Sequence, residues 1–334
     1  KQRPIWESLK LHKNHLARFD AIFTTQGQTD LKRIFSKIEQ YCDAILTPQD
    51  SDYPDQLRPF QDYIPVLFVK GNIQLLNSAQ IAIIGSRKPS PHGQKLAFDF
   101  ADYLTQANYV ITSGLAAGID AAAHQGSMLK GKTIAVIGTG LDQVYPTHHQ
   151  TLQQQILEHG GTLVSQFLPE TPPIKPNFPK RNYIISALSL GTLVVEAGLN
   201  SGSLITAKIA AEQGKSVFAI PGNISQPYHQ GCHQLIRDGA ILVDHPIQII
   251  EDLKTFQSTQ FTDLHNTTKI APTTISSATA CAHPDVPDHL QAVFTQLTFE
   301  GKAVDQLALH LNLPIQVLNS LLTELELLGL CQQH

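Results

Sequence analysis

Four short segments of this sequence are rich in glycine and serine, and they lie at the ends of apolar runs or at the start of a predicted helix. They are Gly85-Ser86-Arg87, Ser113-Gly114-Leu115-Ala116-Ala117-Gly118-Ile119-Asp120, Gly138-Thr139-Gly140 and Ser201-Gly202-Ser203. Small residues let backbone N–H groups approach an anion, and the start of a helix adds a favourable dipole. The segments therefore predict a site for a phosphate-bearing ligand, although a tight turn alone also selects glycine.

Cations accompany two parts of this predicted site. Arg87 ends the first segment, and Phe178-Pro179-Lys180-Arg181-Asn182 opens a predicted helix. We expect these cations and the helix-start amides to form a compact positive pocket, which suits a sugar–phosphate backbone with one or two bases.

Common nucleotide motifs do not match. A dinucleotide site needs G-x-G-x-x-G, but Gly138-Thr139-Gly140-Leu141-Asp142-Gln143 has Gln143 at the third glycine, and no acid follows Thr112-Ser113. No G-x-x-x-x-G-K-[ST] segment occurs either. We therefore expect no cofactor and no P-loop chemistry.

Cysteine and histidine spacing does not indicate a metal site. The four cysteines lie far apart without a C-x-x-C pair, which also argues against a disulfide framework. The pairs His12/His15, His148/His149 and His229/His233 have no Cys or carboxylate at ligand spacing. We interpret these residues as packed or solvated side chains.

The elements that must position these segments form an alternating pattern of short apolar runs and helical stretches. The predicted strands are 81–84, 109–112, 133–137, 162–165, 192–195, 216–219 and 240–243, and the predicted helices are 93–106, 117–129, 149–159, 203–213 and 247–253. Nearly continuous apolar runs are typical of strands buried on both faces of a parallel sheet. The pattern predicts an α/β fold with an extended Rossmann-like, doubly wound parallel sheet, whose ligands bind at the carboxyl edge.

Composition divides the chain into four predicted parts. These are a small helical N-terminal region with its approach segment (1–77), the Rossmann-like domain (78–254), a Ser/Thr-rich linker (255–284) and a C-terminal helix-turn-helix or winged-helix-like domain (285–334). The prediction for the C-terminal domain is based on apolar residues at helical spacing, a pattern that is interrupted at Asn312-Leu313-Pro314.

Charge and hydropathy restrict the partners. The net charge is −4, and residues 283–334 contain only Lys302 against six acids, so a nucleic-acid site is expected in the first two parts. The predicted recognition helix, 315–328, carries Glu324 and Glu326 and no cation, which favours a protein contact or a structural role over duplex binding. No apolar stretch is long enough to span a membrane and no signal segment is evident, so we expect a cytoplasmic protein without a membrane partner.

An ordered set of motifs over roughly residues 50–255 resembles the DNA-processing protein A (DprA/Smf) family. The segments are 81–87 (IAIIGSR), 113–124 (SGLAAGIDAAAH), 178–182 (FPKRN), Glu196-Ala197 with 201–207 (SGSLITA), and Pro221-Gly222-Asn223 leading to Gly231-Cys232 and 235–240 (LIRDGA). The resemblance implies a homodimer that binds incoming single-stranded DNA, protects it, and helps load the RecA recombinase during natural transformation.

The resemblance also implies which residues contact DNA. They are Ser86 and Arg87, then Lys180, Arg181 and Asn182, with Ser113, Gly114, Ser201 and Gly202 as backbone contacts. The family usually has a second arginine after Arg-Asn, where this chain has Tyr183, so one cationic contact is in doubt. Tyr183 either stacks on a base or packs within the protein.

Two other functions are possible for such a fold. A nucleotide-processing enzyme of the lysine-decarboxylase-like Rossmann family would place glutamates where this chain has Ile205 and Thr206. Asp120 and Glu196 are the remaining candidate acids, each with a structural alternative. The third hypothesis is a protein-interaction scaffold. We expect a binding protein that is not an enzyme.

Overall fold

The computed structural model describes residues 20–263, 287, 289–290, 293, 304–311 and 313–327. The chain divides into two compact units, Lys1–Asn266 and Thr267–His334, and each is described by itself.

A nine-stranded sheet forms the centre of the first unit. Its strands are β1 (Ala44–Leu46), β2 (Leu67–Gly71), β3 (Gln80–Ile84), β4 (Val110–Ser113), β5 (Thr133–Val136), β6 (Thr162–Ser165), β7 (Gly191–Val194), β8 (Ser216–Ala219) and β9 (Ile241–Leu242). Their order is β1-β2-β6-β5-β4-β3-β7-β8-β9. The strands from β6 to β9 in this order are parallel, whereas β2 pairs antiparallel with β6 and with β1. The predicted fold class is confirmed.

Helices cover both faces of the sheet. They are α1 (Thr25–Tyr41), α2 (Pro91–Gln106), α3 (Ile119–Met128), α4 (Gln150–Glu158), α5 (Asn177–Leu188), α6 (Gly202–Glu212), α7 (Gln230–Arg237) and α8 (Pro246–Asp263). Side chains alternate along each strand. Accordingly, Ala82 and Ile84 pack in the core under α5 and α6, whereas Ile81 and Ile83 pack in the core under α2 and α3. Burial on both faces explains why the strands are nearly free of polar alternation.

The structure differs from the sequence prediction at both ends of the sheet-forming region. The short strands β1 and β2 were not predicted, because three residues give no pattern and β2 follows Pro65 closely. They extend the sheet to residues before position 78. Helix α8 continues to Asp263, into the predicted linker, because no proline or glycine interrupts 247–263. The predicted domain boundaries themselves stay predictions.

The second unit contains α9 (Val304–Leu311) and α10 (Ile315–Leu327). Apolar residues at helical spacing form its core, namely Leu290, Val293, Leu307, Ala308, Leu318, Leu322 and Leu325. Pro314 separates the two helices, and its carbonyl accepts the N–H groups of Val317 and Leu318 at 3.0 Å.

Over the described parts of both units, we find no helix with the length and hydropathy that crossing a membrane requires.

Candidate nucleic-acid interface

The strand order reverses between β3 and β7, and a cleft lies at their carboxyl ends. From β3 the chain continues through β4, β5 and β6 on one side, and from β7 it continues through β8 and β9 on the other. Ligands of open α/β sheets bind at such a switch point. The predicted site residues that line this cleft are Ser86, Arg87, Asn182, Ser201 and Gly202. The fold therefore gathers segments that are far apart in sequence.

The loop after β3 has a fixed backbone and exposed cations. The Ser86 N–H donates to the Glu196 carbonyl at 2.7 Å, and the Ser86 carbonyl accepts the Ile119 N–H at 3.1 Å. The side chains of Arg87 and Lys88 are exposed, and both residues line the cleft. Sequence analysis did not select Lys88, although it directly follows the Gly85-Ser86-Arg87 segment.

Glycine at position 118 allows α3 to begin against this loop. Gly118 has φ of +85°, and a Cβ there would collide with the Ser86 carbonyl oxygen. A non-glycine residue would carry both strain and a clash. Gly118 is therefore explained by the packing of α3 against the loop after β3 and not by contact with a ligand.

Glu196, one of the candidate acids, stabilises the start of α2. Its buried carboxylate accepts the Ser90 N–H at 2.8 Å and the Ser90 hydroxyl at 2.6 Å. The Ser90 hydroxyl in turn accepts the Gly93 N–H at 3.0 Å as the N-cap of α2. An acid that accepts bonds at a helix start has a structural role.

Arg181 is buried, with only 5% of its surface exposed. Its Nη1 donates to the carbonyl of Val136 at 2.8 Å and to the carbonyl of Gly114, and its Nε donates to Asn182 Oδ1 at 3.0 Å. A Cβ at position 114 would collide with the guanidinium, which explains the glycine. Burial lowers the pKa of Arg181 to about 10, although the nearby Asp120 charge raises it.

Asp120 is the acidic partner of Arg181. Its Oδ2 accepts the Gly114 N–H at 3.1 Å and the Ala116 N–H at 3.3 Å. Burial raises the pKa of the Asp120 carboxyl, against the lowering effects of Arg181 and of these two N–H groups. We call Asp120 and Arg181 the buried pair. The carboxylate organises the loop after β4.

Two predicted backbone contacts also have internal partners. The Ser113 hydroxyl donates to the Ile83 carbonyl at 2.6 Å, and the Gly114 N–H and carbonyl are bonded to the buried pair. Ser113 is buried and is not among the residues that line the cleft. The DNA contacts predicted for Ser113, Gly114 and Arg181 remain predictions.

Lys180 has the opposite environment to Arg181. It lies in the first turn of α5, and its side chain is exposed. We call Arg87 and Lys180 the rim cations, because both lie at the solvent-facing side of the carboxyl edge.

Aromatic side chains lie beside Arg87. The Arg87 Cζ is 5.9 Å from the centroid of the Phe178 ring, and the Arg181 Cζ is also 5.9 Å from that centroid. Tyr145, which is 41% exposed, lies 5.5 Å from Phe178 between ring centroids. These residues line a second pocket together with Gly114 and Gly138. Sequence analysis missed Tyr145, which follows the Gly138-Thr139-Gly140 segment by five residues.

The start of α6 forms another side of the main cleft. Ser201 is its N-cap, and its hydroxyl accepts the Ser203 N–H at 3.3 Å. A Cβ at Gly202 would meet nothing within 4 Å, so the glycine leaves open space at the helix start. An anion can approach the first-turn N–H groups there.

Tyr183 packs against two other aromatic rings. Its ring centroid lies 5.6 Å from that of Phe60, edge to face, and 5.3 Å from that of Tyr63. Tyr183 is half-buried and belongs to the edge of the core under α5. Of the two interpretations of Tyr183, packing is the one for which the structure shows contacts.

A buried histidine of α3 bonds to the first residue of β5. His124 is buried, and its Nδ1 is 2.7 Å from the Thr133 hydroxyl. Thr133 donates that hydroxyl to the Ile111 carbonyl, so Nδ1 carries the proton of the His124 bond. Burial lowers the pKa of His124 to about 3. Within the described ranges, no group of three or more His, Cys, Asp or Glu side chains is placed to hold a metal ion.

Comparison with known proteins gives family matches to both units. Residues 44–254 match the family model described as DNA recombination-mediator protein A, and residues 277–334 match the DprA winged helix domain. The chain is 49% identical to Protein Smf of Escherichia coli over 211 residues, which is 63% of this chain and 56% of that protein. The match thus spans less than two thirds of the length of this relative.

Two solved structures share the fold. DNA processing protein A from Streptococcus pneumoniae has a TM-score of 0.60 and 38% identity, covering 70% of this chain and 84% of that one. DNA processing protein A from Helicobacter pylori has a TM-score of 0.53 and 28% identity, covering 66% of this chain and 96% of that one. The latter structure is described as showing a single-stranded DNA binding mode of that protein.

Proposed function

The chain belongs to the DNA recombination-mediator protein A family, and from this premise we propose that its α/β unit binds single-stranded DNA at the switch-point cleft. The strand backbone contacts the rim cations Arg87 and Lys180 and the start of α6 at Ser201 and Gly202. Exposed cations and open backbone N–H groups beside a groove suit sequence-tolerant binding of a single strand.

One observation carries this proposal. The exposed side chain of Arg87, the fixed loop that bears it, and the open helix start at Gly202 line a single cleft. Charge and backbone N–H groups for a phosphate therefore lie within one surface. The adjacent rings of Phe178 and Tyr145 offer apolar surface for a base.

The proposed role is binding without catalysis. Glu196 and Asp120, the candidate acids, are buried and accept backbone hydrogen bonds, so each has a structural function. Ile205 and Thr206 occupy the positions at which the related enzymes have glutamates. Incubation of the protein with nucleoside monophosphates should release no free base, and release with turnover would overturn this part of the proposal.

Binding is tested by anisotropy of a labelled oligo-dT strand. The unmodified chain should form a salt-sensitive complex, and Arg87→Ala combined with Lys180→Ala should weaken it by about 25-fold at 0.1 M salt, from two lost phosphate contacts. Lys95→Ala with Lys130→Ala, which removes two exposed cations from outside the cleft, is the matched control. Equal weakening by both pairs would refute the site, and no binding by the unmodified chain would favour the scaffold hypothesis.

Assembly and partners belong to the same proposal. We infer a homodimer that protects incoming DNA and helps load RecA during natural transformation, in the cytoplasm. Strand β9 lies at one edge of the sheet, and the unpaired backbone groups of an edge strand can pair with a second copy of the chain. Sedimentation at several concentrations tests the dimer, and RecA filament formation on coated single strands, with and without this protein, tests the loading role.

A further inference from the structure

Tyr63 has an exposed ring that contacts Tyr183 of α5, the helix that carries Lys180, and it is not among the residues that line the cleft described above. Tyr63 is 72% exposed, the largest exposed fraction among the tyrosines that the structure shows as exposed. An isolated surface aromatic is common, but this one is supported from behind by other rings. The question is what a supported and solvent-facing ring does at this position.

One ring contact supports Tyr63, and a second ring contact supports its partner Tyr183. Tyr183 lies 5.3 Å away between centroids with an interplanar angle of 34°, and Phe60 meets Tyr183 edge to face at 5.6 Å. We call Phe60, Tyr63 and Tyr183 the aromatic platform. Aromatic pairs in such geometries are mutually stabilising, so Tyr183 limits the freedom of Tyr63.

The backbone under Tyr63 is also fixed. The N–H groups of Tyr63 and Ile64 both donate to the Phe60 carbonyl, at 2.9 and 3.1 Å. The next carbonyl, that of Ile64, accepts the hydroxyl of the buried Tyr53 at 2.7 Å. Ordering this ring on DNA therefore costs little conformational entropy.

Helix α5 connects the platform with the rim cations. Tyr183 follows Lys180 by three residues, which places both on the same side of the helix about 4.5 Å apart along its axis. Asn182, directly before Tyr183, lines the cleft. A strand that leaves the cleft past Lys180 can therefore run towards the platform.

We propose that Tyr63 is a base-stacking subsite for the nucleotide that flanks the cleft on the Lys180 side, with Tyr183 and Phe60 as its support. This inference rests on the proposed single-stranded DNA binding and extends it. Every base presents a π-face, so the subsite is indifferent to sequence. It also gives Tyr183 a role without a direct DNA contact.

The negative charge of the neighbouring Asp62 should weaken DNA binding at this subsite, and this provides a further test. Asp62 is exposed and directly precedes Tyr63. A carboxylate beside a phosphate strand repels it. Asp62→Asn should strengthen oligo-dT binding, and the gain should disappear at high salt because the interaction is screened.

The test compares oligo-dT with an abasic strand of equal length, which keeps the phosphates and lacks the bases. Tyr63→Ala should bind oligo-dT about 5- to 150-fold more weakly, the range for loss of one base–aromatic stack. It should bind the abasic strand like the unmodified chain, with an unchanged dependence on salt. Lys180→Ala should weaken binding of both strands and reduce the salt dependence.

Two variants control for indirect effects. Tyr63→Phe keeps the ring and should restore binding of oligo-dT. Phe98→Ala removes a ring that is 38% exposed on α2, over the opposite face of the sheet, and should have no effect. If the unmodified chain binds oligo-dT and Tyr63→Ala binds it equally well, or binds both strands equally weakly, the subsite is refuted while the cleft proposal stands; no binding by the unmodified chain refutes both.

Discussion

The rim cations and the buried pair occupy the same carboxyl edge, yet their environments are opposite. Lys180 and Arg181 are adjacent in sequence, but Lys180 is exposed whereas Arg181 is 5% exposed. Arg87 faces solvent, and Asp120 accepts hydrogen bonds inside the protein. A cation at this edge can therefore be open to a ligand or can bond to the loops of the protein itself, and burial decides which.

Helix geometry explains how adjacent cations diverge. Consecutive residues of α5 differ by about 100° around the helix axis, so one can face the sheet while the next faces water. The planar guanidinium of Arg181 reaches the carbonyls of Gly114 and Val136, which follow β4 and end β5. A lysine has one donor nitrogen, so it could not also make the bond that Arg181 Nε donates to Asn182 Oδ1.

Removing the buried cation should have the largest effect on stability. Arg181→Met leaves the Asp120 carboxylate buried without its charge partner, and we expect a loss of about 3–5 kcal/mol in the free energy of unfolding. Chemical denaturation measures it.

The control is Lys180→Met, which should change the free energy of unfolding by less than about 0.5 kcal/mol. Equal losses in the two variants would abolish the distinction between the buried pair and the rim cations.

Low pH should decrease the free energy of unfolding, because His124 takes up a proton more readily in the unfolded chain than in the folded protein. Its pKa is about 3 in the folded protein, whereas an unfolded histidine titrates near pH 6.5. The unfolded state therefore binds more protons as the pH falls below about 6.5, and the stabilising contribution of neutral His124 is lost by up to about 1.4 kcal/mol per pH unit down to about pH 3.

His124→Gln should show a flatter decrease in the free energy of unfolding between pH 7.5 and 5, measured by denaturation at each pH. The pKa of His229 is also lowered by burial, and it contributes to both curves, so their difference isolates His124. Parallel curves would mean that His124 gains a proton without cost.

The salt dependence of oligo-dT binding should distinguish the rim cations, which are proposed to contact phosphates, from the buried pair. Arg87→Ala or Lys180→Ala should each reduce the slope of log K against log salt by about 0.7, equivalent to about fivefold weaker binding of oligo-dT at 0.1 M salt. Thermal unfolding midpoints should not change. An unchanged slope in either variant would remove that residue from the phosphate contacts.

We expect the smallest effect from a substitution at Ser90, which contacts the buried Glu196 beside the exposed loop after β3. Ser90→Ala removes the N-cap of α2 and a hydroxyl that donates to Glu196, which should cost about 1 kcal/mol in the free energy of unfolding. The salt slope of oligo-dT binding should stay the same, since the Ser86 N–H still meets the Glu196 carbonyl. A changed slope would show that this loop depends on the cap. The exposed Ser51→Ala is the control.

Periodicity predicted the parallel part of the sheet well, because its strands other than the edge strand β9 are apolar runs buried on both faces. It missed β1 and β2, whose pairing with β6 is a long-range event that no local pattern records. In the structure Ser86, Arg87, Asn182, Ser201 and Gly202 line one cleft, and their contacts with DNA stay predictions.

Spacing could not separate ligand-facing residues from internally bonded ones. Gly114 has the composition of a phosphate loop, but its lack of a side chain makes room for Arg181. That distinction depends on where a long side chain from another helix ends, which is a tertiary property. Tyr63 gave no signal at all, since its support comes from Tyr183, far away in sequence.

The Phe178 ring lies equally far, 5.9 Å, from the guanidinium carbons of Arg87 and Arg181. The ring therefore contacts both a solvent-exposed guanidinium, that of Arg87, and a buried one, that of Arg181. A smaller side chain at this position should expose Arg181 to water, and we expect its pKa, lowered by burial to about 10, to return towards the ordinary value. Because Phe178 contacts both arginines, a single substitution there should alter both stability and binding.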